Sequence, residues 1–136
     1  MSFAQNLSYS AVQVVHNLGA VATVGGSLSA LWLRDRVTRR RLAYLALGGW
    51  MTQAASGATF GAVSYYYYHQ FPDISGIAIY ALGIKMICAT LGILLLIVYV
   101  WRGEHWAGAT ENKVWLSSSI LAVTAISAAA VLRWFA

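Results

Sequence analysis

Two ionisable side chains lie deep in apolar sequence. Lys85 is the only charged residue from Ile74 to Trp101, and His16 stands in a stretch, residues 2–33, with no Lys, Arg, Asp or Glu. A charge at the centre of a membrane span costs about 2.5–3.5 kcal/mol on insertion scales, so such a residue marks a functional site by default. A neutral imidazole is a ligand for haem iron or copper. A buried lysine can accept a proton or pair with an anionic group such as a haem propionate. The long uncharged stretches hold no Asp or Glu. The partner of Lys85 is therefore a ligand, another subunit or helix carbonyls, or else the amine is neutral. The candidate site is His16 as metal and cofactor ligand, Lys85 as cofactor-binding and catalytic residue, and Gln53 with Ser56 lining the floor of a shared pocket. The alternative is structural: His16 bonded to a neighbouring helix, and Lys85 facing a carboxylate of another subunit. Copper could also use Met51, Met86 and Cys88, although their spacing forms no motif.

The composition indicates what positions these residues. The chain has 136 residues, 60% hydrophobic and 10% charged, where a soluble domain carries about 25% charged residues. This predicts one integral membrane domain, residues 1–136. The net charge of +5 does not indicate nucleic acid, because Arg34, Arg36, Arg39, Arg40 and Arg41 fall in one block. That block reads as a cytoplasmic loop close to anionic lipid. With Cys88 the sole cysteine, an internal disulfide and CxxC chemistry are excluded. The first 33 residues lack the basic start of a cleavable signal, so the first helix is expected to stay as an anchor.

Hydropathy predicts four spans, at about 9–33, 42–68, 75–101 and 114–133, each able to cross a hydrocarbon core of about 30 Å. With short connections, the expected fold is all-α, an up-down four-helix bundle. The basic loops 34–41 and 102–113 alternate with a loop, 69–73, that has no Lys or Arg. The positive-inside rule then places both basic loops in the cytoplasm and both termini outside, as in a bacterial inner membrane. Tyr65 to Tyr68 and several tryptophans form interfacial belts, with a quinone or pigment contact as the alternative reading of the tyrosines. Gly49, Gln53, Gly57 and Gly61 recur every four residues, and the Gly57–Gly61 pair predicts close helix packing, within the bundle or with a partner.

The same periodicity orients the two candidates. Lys85 shares a face with Ala78, Ala81, Leu82, Cys88, Ala89 and Gly92, while Ile84, Ile87, Leu91, Leu94 and Leu95 lie opposite. The small face should turn into the bundle and the branched face to lipid. His16 shares its face with Gln13, Gly19, Ala20, Thr23 and Ser27. Counting from the outer ends of the spans puts His16 roughly 10 Å deep and Lys85 roughly 15 Å deep, close enough for one pocket.

The segment from His16-Asn17-Leu18-Gly19-Ala20 to Gly25-Gly26 resembles the first helix of the CopD-like copper-resistance family. The third helix, with Lys85 and a closing Trp101-Arg102, resembles that family's helix with a central lysine. The same His and Lys arrangement is similar to the HemJ family, small haem-binding membrane proteins associated with protoporphyrinogen oxidation. The resemblance covers parts of helices 1 and 3. It implies a haem ligand at His16, with haem b as cofactor, and a functional pocket residue at Lys85.

Three functions follow as expectations. The first is a haem-binding or redox-linked membrane protein, an oxidoreductase if it is an enzyme. The second is a non-catalytic accessory subunit of a respiratory or photosynthetic complex, bound to a partner or to a second copy of itself. The third is copper transport or resistance.

Overall fold

The computed structural model describes residues 2–136. Four long helices, α1 (Phe3–Trp32), α2 (Arg36–Tyr68), α3 (Ile77–Arg102) and α4 (Gly108–Phe135), are joined by short connections. A single 3-10 turn, Gly103–His105, precedes α4, and the described residues contain no strand. α1, α3 and α4 are each long and apolar enough to cross a membrane. α2 has the length, but its glycines, hydroxyls and Gln53 leave it less apolar than the other three. Outward residues such as Leu18 and Val21 on α1, and Ile87 and Leu94 on α3, are apolar and exposed, which suits contact with lipid.

α1 and α2 extend beyond the expected boundaries because polar residues cap them. α1 starts at Phe3 rather than near 9, since Ser2 Oγ accepts from the Gln5 N–H at 3.2 Å. Gln5 Nε2 donates to the Tyr68 hydroxyl at 2.6 Å, tying that first turn to the end of α2. α2 starts at Arg36 rather than at 42, because the Asp35 carboxylate accepts from the Thr38 N–H at 2.8 Å. The arginine block expected as loop 34–41 is therefore mostly helical. Likewise α4 takes up much of the expected loop 102–113. α3 begins two residues later than expected, at Ile77, after Gly76 turns the chain at a φ of 57°.

The Thr38 N–H and hydroxyl hold the Asp35 carboxyl below the ordinary aspartate value. A carboxyl depressed on folding stabilises the helix start above its ordinary pKa, and that contribution is lost as pH falls through the folded value. Amide protection in the first turn of α2 should therefore drop on acidification below about pH 4. Asp35→Ala should show the lower protection at every pH; hydrogen exchange is the readout.

Each helix packs on its neighbour in the chain, and α4 closes back onto α1. The tightest crossing joins α1 to α2. A Cβ on Gly49 would stand 2.4 Å from Thr23 Oγ1 and 2.8 Å from the Gly19 carbonyl oxygen. Within the expected glycine stripe, only Gly49 makes this contact. Gly57 has no neighbour that an added Cβ would meet, so the Gly57–Gly61 pair does not pack helices within the chain. Gly57 and Gly61 instead line a cavity, beside Phe60, whose ring stands 6.4 Å from Tyr9 and 5.7 Å from His16.

The buried core lies toward the end that carries the arginines. Trp115 is fully buried with Tyr99 5.1 Å away, and Trp50 lies against Gly92. Ser27 and Ser118 share a buried hydrogen bond of 2.8 Å between α1 and α4. At the arginine end, Arg39 is buried. Its Nε and Nη2 donate to the Ala30 carbonyl at 3.1 and 3.0 Å, its Nη2 also to Asn112 Oδ1 at 2.8 Å, and its Nη1 meets buried Glu111 at 3.4 Å. Arg36 reaches the other Glu111 oxygen at 3.1 Å and two carbonyls of the α3–α4 connection. Arg40 pairs with Glu104. Of the five arginines expected to face lipid, Arg36 and Arg39 thus hold the bundle together through Glu111, Arg40 makes an exposed pair, and Arg34 and Arg41 remain exposed.

Candidate functional site

The half of the bundle nearer the chain termini encloses a cavity of about 790 Å³. This lies within the range of about 300–1,000 Å³ usual for small-molecule and cofactor sites. All four helices contribute. α1 supplies His16 and Ala20, α2 supplies Trp50, Gln53 and Gly57, α3 supplies Leu82 and Lys85, and α4 supplies Ala122, Ala125 and Ala129. Phe71, Pro72 and Ile74 from the α2–α3 connection lie at one end, as does Arg133 near the end of α4. The walls are mostly small or apolar, and the lining includes a lysine and an arginine but no carboxylate.

His16 and Lys85 meet directly. Lys85 Nζ lies 3.0 Å from His16 Nε2. The inward turn expected for Lys85 is present: Ala78, Ala81, Cys88 and Gly92 on its face are buried, and Ile84, Ile87, Leu91 and Leu94 are exposed. The other imidazole nitrogen, Nδ1, lies 2.7 Å from Ser56 Oγ. Ser56 Oγ is also 2.6 Å from the Thr52 carbonyl oxygen, which can only accept. The single serine hydrogen therefore goes to Thr52, and Ser56 accepts from His16 Nδ1–H. That leaves Nε2 as the lone-pair nitrogen, accepting from Lys85. One directional chain results: Lys85 to His16, His16 to Ser56, Ser56 to Thr52. Gln53 adds a bond from its Nε2 to the His16 carbonyl oxygen, which anchors the backbone of α1 at this level.

The tautomer matters chemically. An imidazole whose Nδ1–H is bound by a neighbour is held in one orientation and is a better donor at Nε2, the arrangement that supports metal-ligating histidines. Ser56→Ala removes the acceptor for Nδ1–H. If His16 serves as a ligand, Ser56→Ala should weaken metal-centred binding by about 10–100-fold, with little change in folding; a ligand titration beside a thermal melt separates the two.

The soft donors are not gathered. Met51 and Met86 are exposed on outer faces and Cys88 is in the core, and none of the three lines the cavity. No group of three or more His, Cys, Asp or Glu side chains among the described residues is placed to hold a metal ion. The cavity lining offers one imidazole, a donor that fits a metal carried in its own macrocycle. His69 is exposed at the end of α2 and His105 at the connection into α4, both away from the cavity.

The sequence reading missed the α4 wall and the Arg39–Glu111 pair. The alanines at 122, 125 and 129, followed by Arg133, recur at helical spacing, which could have marked a wall opposite His16. Glu111 was legible as the only acid in the first turn of α4. Comparison of the chain with family models, with curated proteins and with solved structures gives no match.

Proposed function

We propose that this chain is an integral membrane protein that binds a haem-type tetrapyrrole through His16 in a cavity within the bilayer. The observation that carries the reading is the imidazole with its Nδ1 fixed by Ser56 and its Nε2 toward Lys85, in a largely apolar chamber. The resemblance of helices 1 and 3 to the CopD-like and HemJ-like proteins points the same way. Within this reading, His16 would ligate the metal, Gln53 and Ser56 would hold the imidazole in place, and Lys85 and Arg133 would supply positive charge for acidic substituents. A bound haem would supply one-electron redox chemistry; the residues of this chain would bind it, orient it and keep water out.

In the same proposal α2 is a fourth span. It packs along α1 from the Gln5–Tyr68 bond at one end to the Ala30–Arg39 bond at the other. A helix in register with a spanning neighbour over such a length crosses with it. Both termini then lie outside, with the Arg34–Arg41 and Arg102–Lys113 segments in the cytoplasm of a bacterial inner membrane, as the positive-inside rule requires. The cavity opens to the outer side.

The test is a haemin titration of the lipid-reconstituted protein. One equivalent should produce a shifted Soret band in the wild type and none in His16→Ala, while His105→Ala should behave as wild type. A wild-type spectrum indistinguishable from haemin in protein-free vesicles would refute the proposal.

A further inference from the structure

Lys85 has only one polar partner within hydrogen-bonding distance among the described residues, the His16 ring. The four acidic residues of the chain are placed elsewhere. Asp35 caps α2, Glu104 and Glu111 pair with Arg36, Arg39 and Arg40, and Asp73 is exposed in the α2–α3 connection. No ion pair reaches Lys85 or Arg133 among the described residues, and both line the cavity. The contact made by Lys85 is also the one that covers the only lone pair His16 has free. A ligand that needs Nε2 must therefore displace Lys85.

We infer that Lys85 is a movable cover on His16, drawn off by a carboxylate carried on the apolar body of the ligand. The inference rests on the tetrapyrrole reading of the cavity and adds how that cavity selects its ligand. The physical basis is a competition between two acceptors for one amine. An ammonium bonded to a neutral imidazole nitrogen is charged on one side only, whereas bonded to a carboxylate it gains the attraction of a full opposite charge as well. Low dielectric around the cavity widens that difference. Lysine has a flexible four-carbon stem and rotatable donors, so it can change partners without movement of α3. Once Lys85 turns to the carboxylate, Nε2 is exposed with its orientation still held by Ser56. A ligand of the same shape without acid groups must take Nε2 and leave Lys85 without a partner, which costs the desolvation of an unmatched donor. The site therefore selects for acid groups even though coordination occurs at the imidazole.

A permanent structural bond between Lys85 and His16 makes the opposite prediction. Removing the amine would then disorder His16 and weaken every ligand alike.

The experiment compares haemin with haemin dimethyl ester, and metal-free protoporphyrin with its dimethyl ester. Each is titrated into reconstituted wild type, Lys85→Met and Lys85→Gln, with protein-free vesicles as baseline. The Soret shift reports coordination, and quenching of Trp50, which lines the cavity, reports occupancy. Wild type should prefer each free acid over its ester by about tenfold or more. Both variants should lose that preference and bind haemin dimethyl ester more tightly than wild type does. Equal binding of acid and ester by wild type overturns the inference while leaving haem ligation by His16 intact. So does a preference retained in both variants, which would assign the carboxylate to Arg133 or to lipid. Weaker binding of every ligand in both variants also overturns it, in favour of the permanent bond. If haemin shows no Soret shift but protoporphyrin quenches in preference to its ester in wild type and in neither variant, ligation by His16 fails and with it the cover on Nε2, while carboxylate recognition by Lys85 stands. If none of the four compounds binds, both readings fall.

Discussion

Glu111→Gln is expected to lower stability by about 3–5 kcal/mol, the range for breaking a buried ion pair from one side. Glu111 and Arg39 are each only 2% exposed. The glutamate faces Arg39 at 3.4 Å and Arg36 at 3.1 Å, so its loss leaves a buried guanidinium with two neutral partners, Ala30 and Asn112, and no counter-charge. The damage should be local to the arginine end, where this cluster ties together the end of α1 and the starts of α2 and α4. Exposed Glu104, paired with Arg40, provides the control, and Glu104→Gln should change stability little because exposed pairs contribute little. Thermal unfolding in one detergent compares the two variants. Equal effects would contradict the assignment of the buried cluster as the clamp.

The second large effect falls on the α1–α2 crossing. Gly49→Ala should destabilise by about 1–3 kcal/mol, because the added Cβ meets backbone, with the Thr23 nitrogen at 2.6 Å and the Gly19 oxygen at 2.8 Å. Backbone cannot turn aside as a side chain can, so the helices must separate. That separation would also move Ser56, two turns along α2, away from His16 Nδ1. Gly49→Ala should therefore weaken ligand binding as well as folding. Gly48→Ala, where an added Cβ meets nothing, should leave binding unchanged and slightly favour the helix. The same measurements on the two variants separate contact from helix propensity.

These residues show what was legible in the sequence. The all-α character follows from long uncharged runs, and helical spacing alone turned Lys85 and His16 inward and to a common depth. Their partners were only partly legible. Ser56 and Gln53 were expected to line the floor, but their actual bonds, one to the His16 ring and one to its carbonyl, depend on rotamers that spacing does not specify. The arginine block misled because the positive-inside rule describes where basic residues sit, not what they touch. Glu111, about seventy residues farther along, turns Arg36 and Arg39 into internal clamps through a tertiary contact with no local sequence signal. The glycine stripe was half right for a similar reason. Gly49 sits at the crossing, whereas Gly57 faces the cavity.

The most direct test of His16 as a cofactor ligand is the absorption spectrum of the protein purified from its native membrane, oxidised and dithionite-reduced. A Soret band that shifts on reduction in the wild type, persists in His105→Ala and disappears in His16→Ala is the predicted result. Colourless wild-type protein from the native membrane, or an unaltered band in His16→Ala, would contradict it.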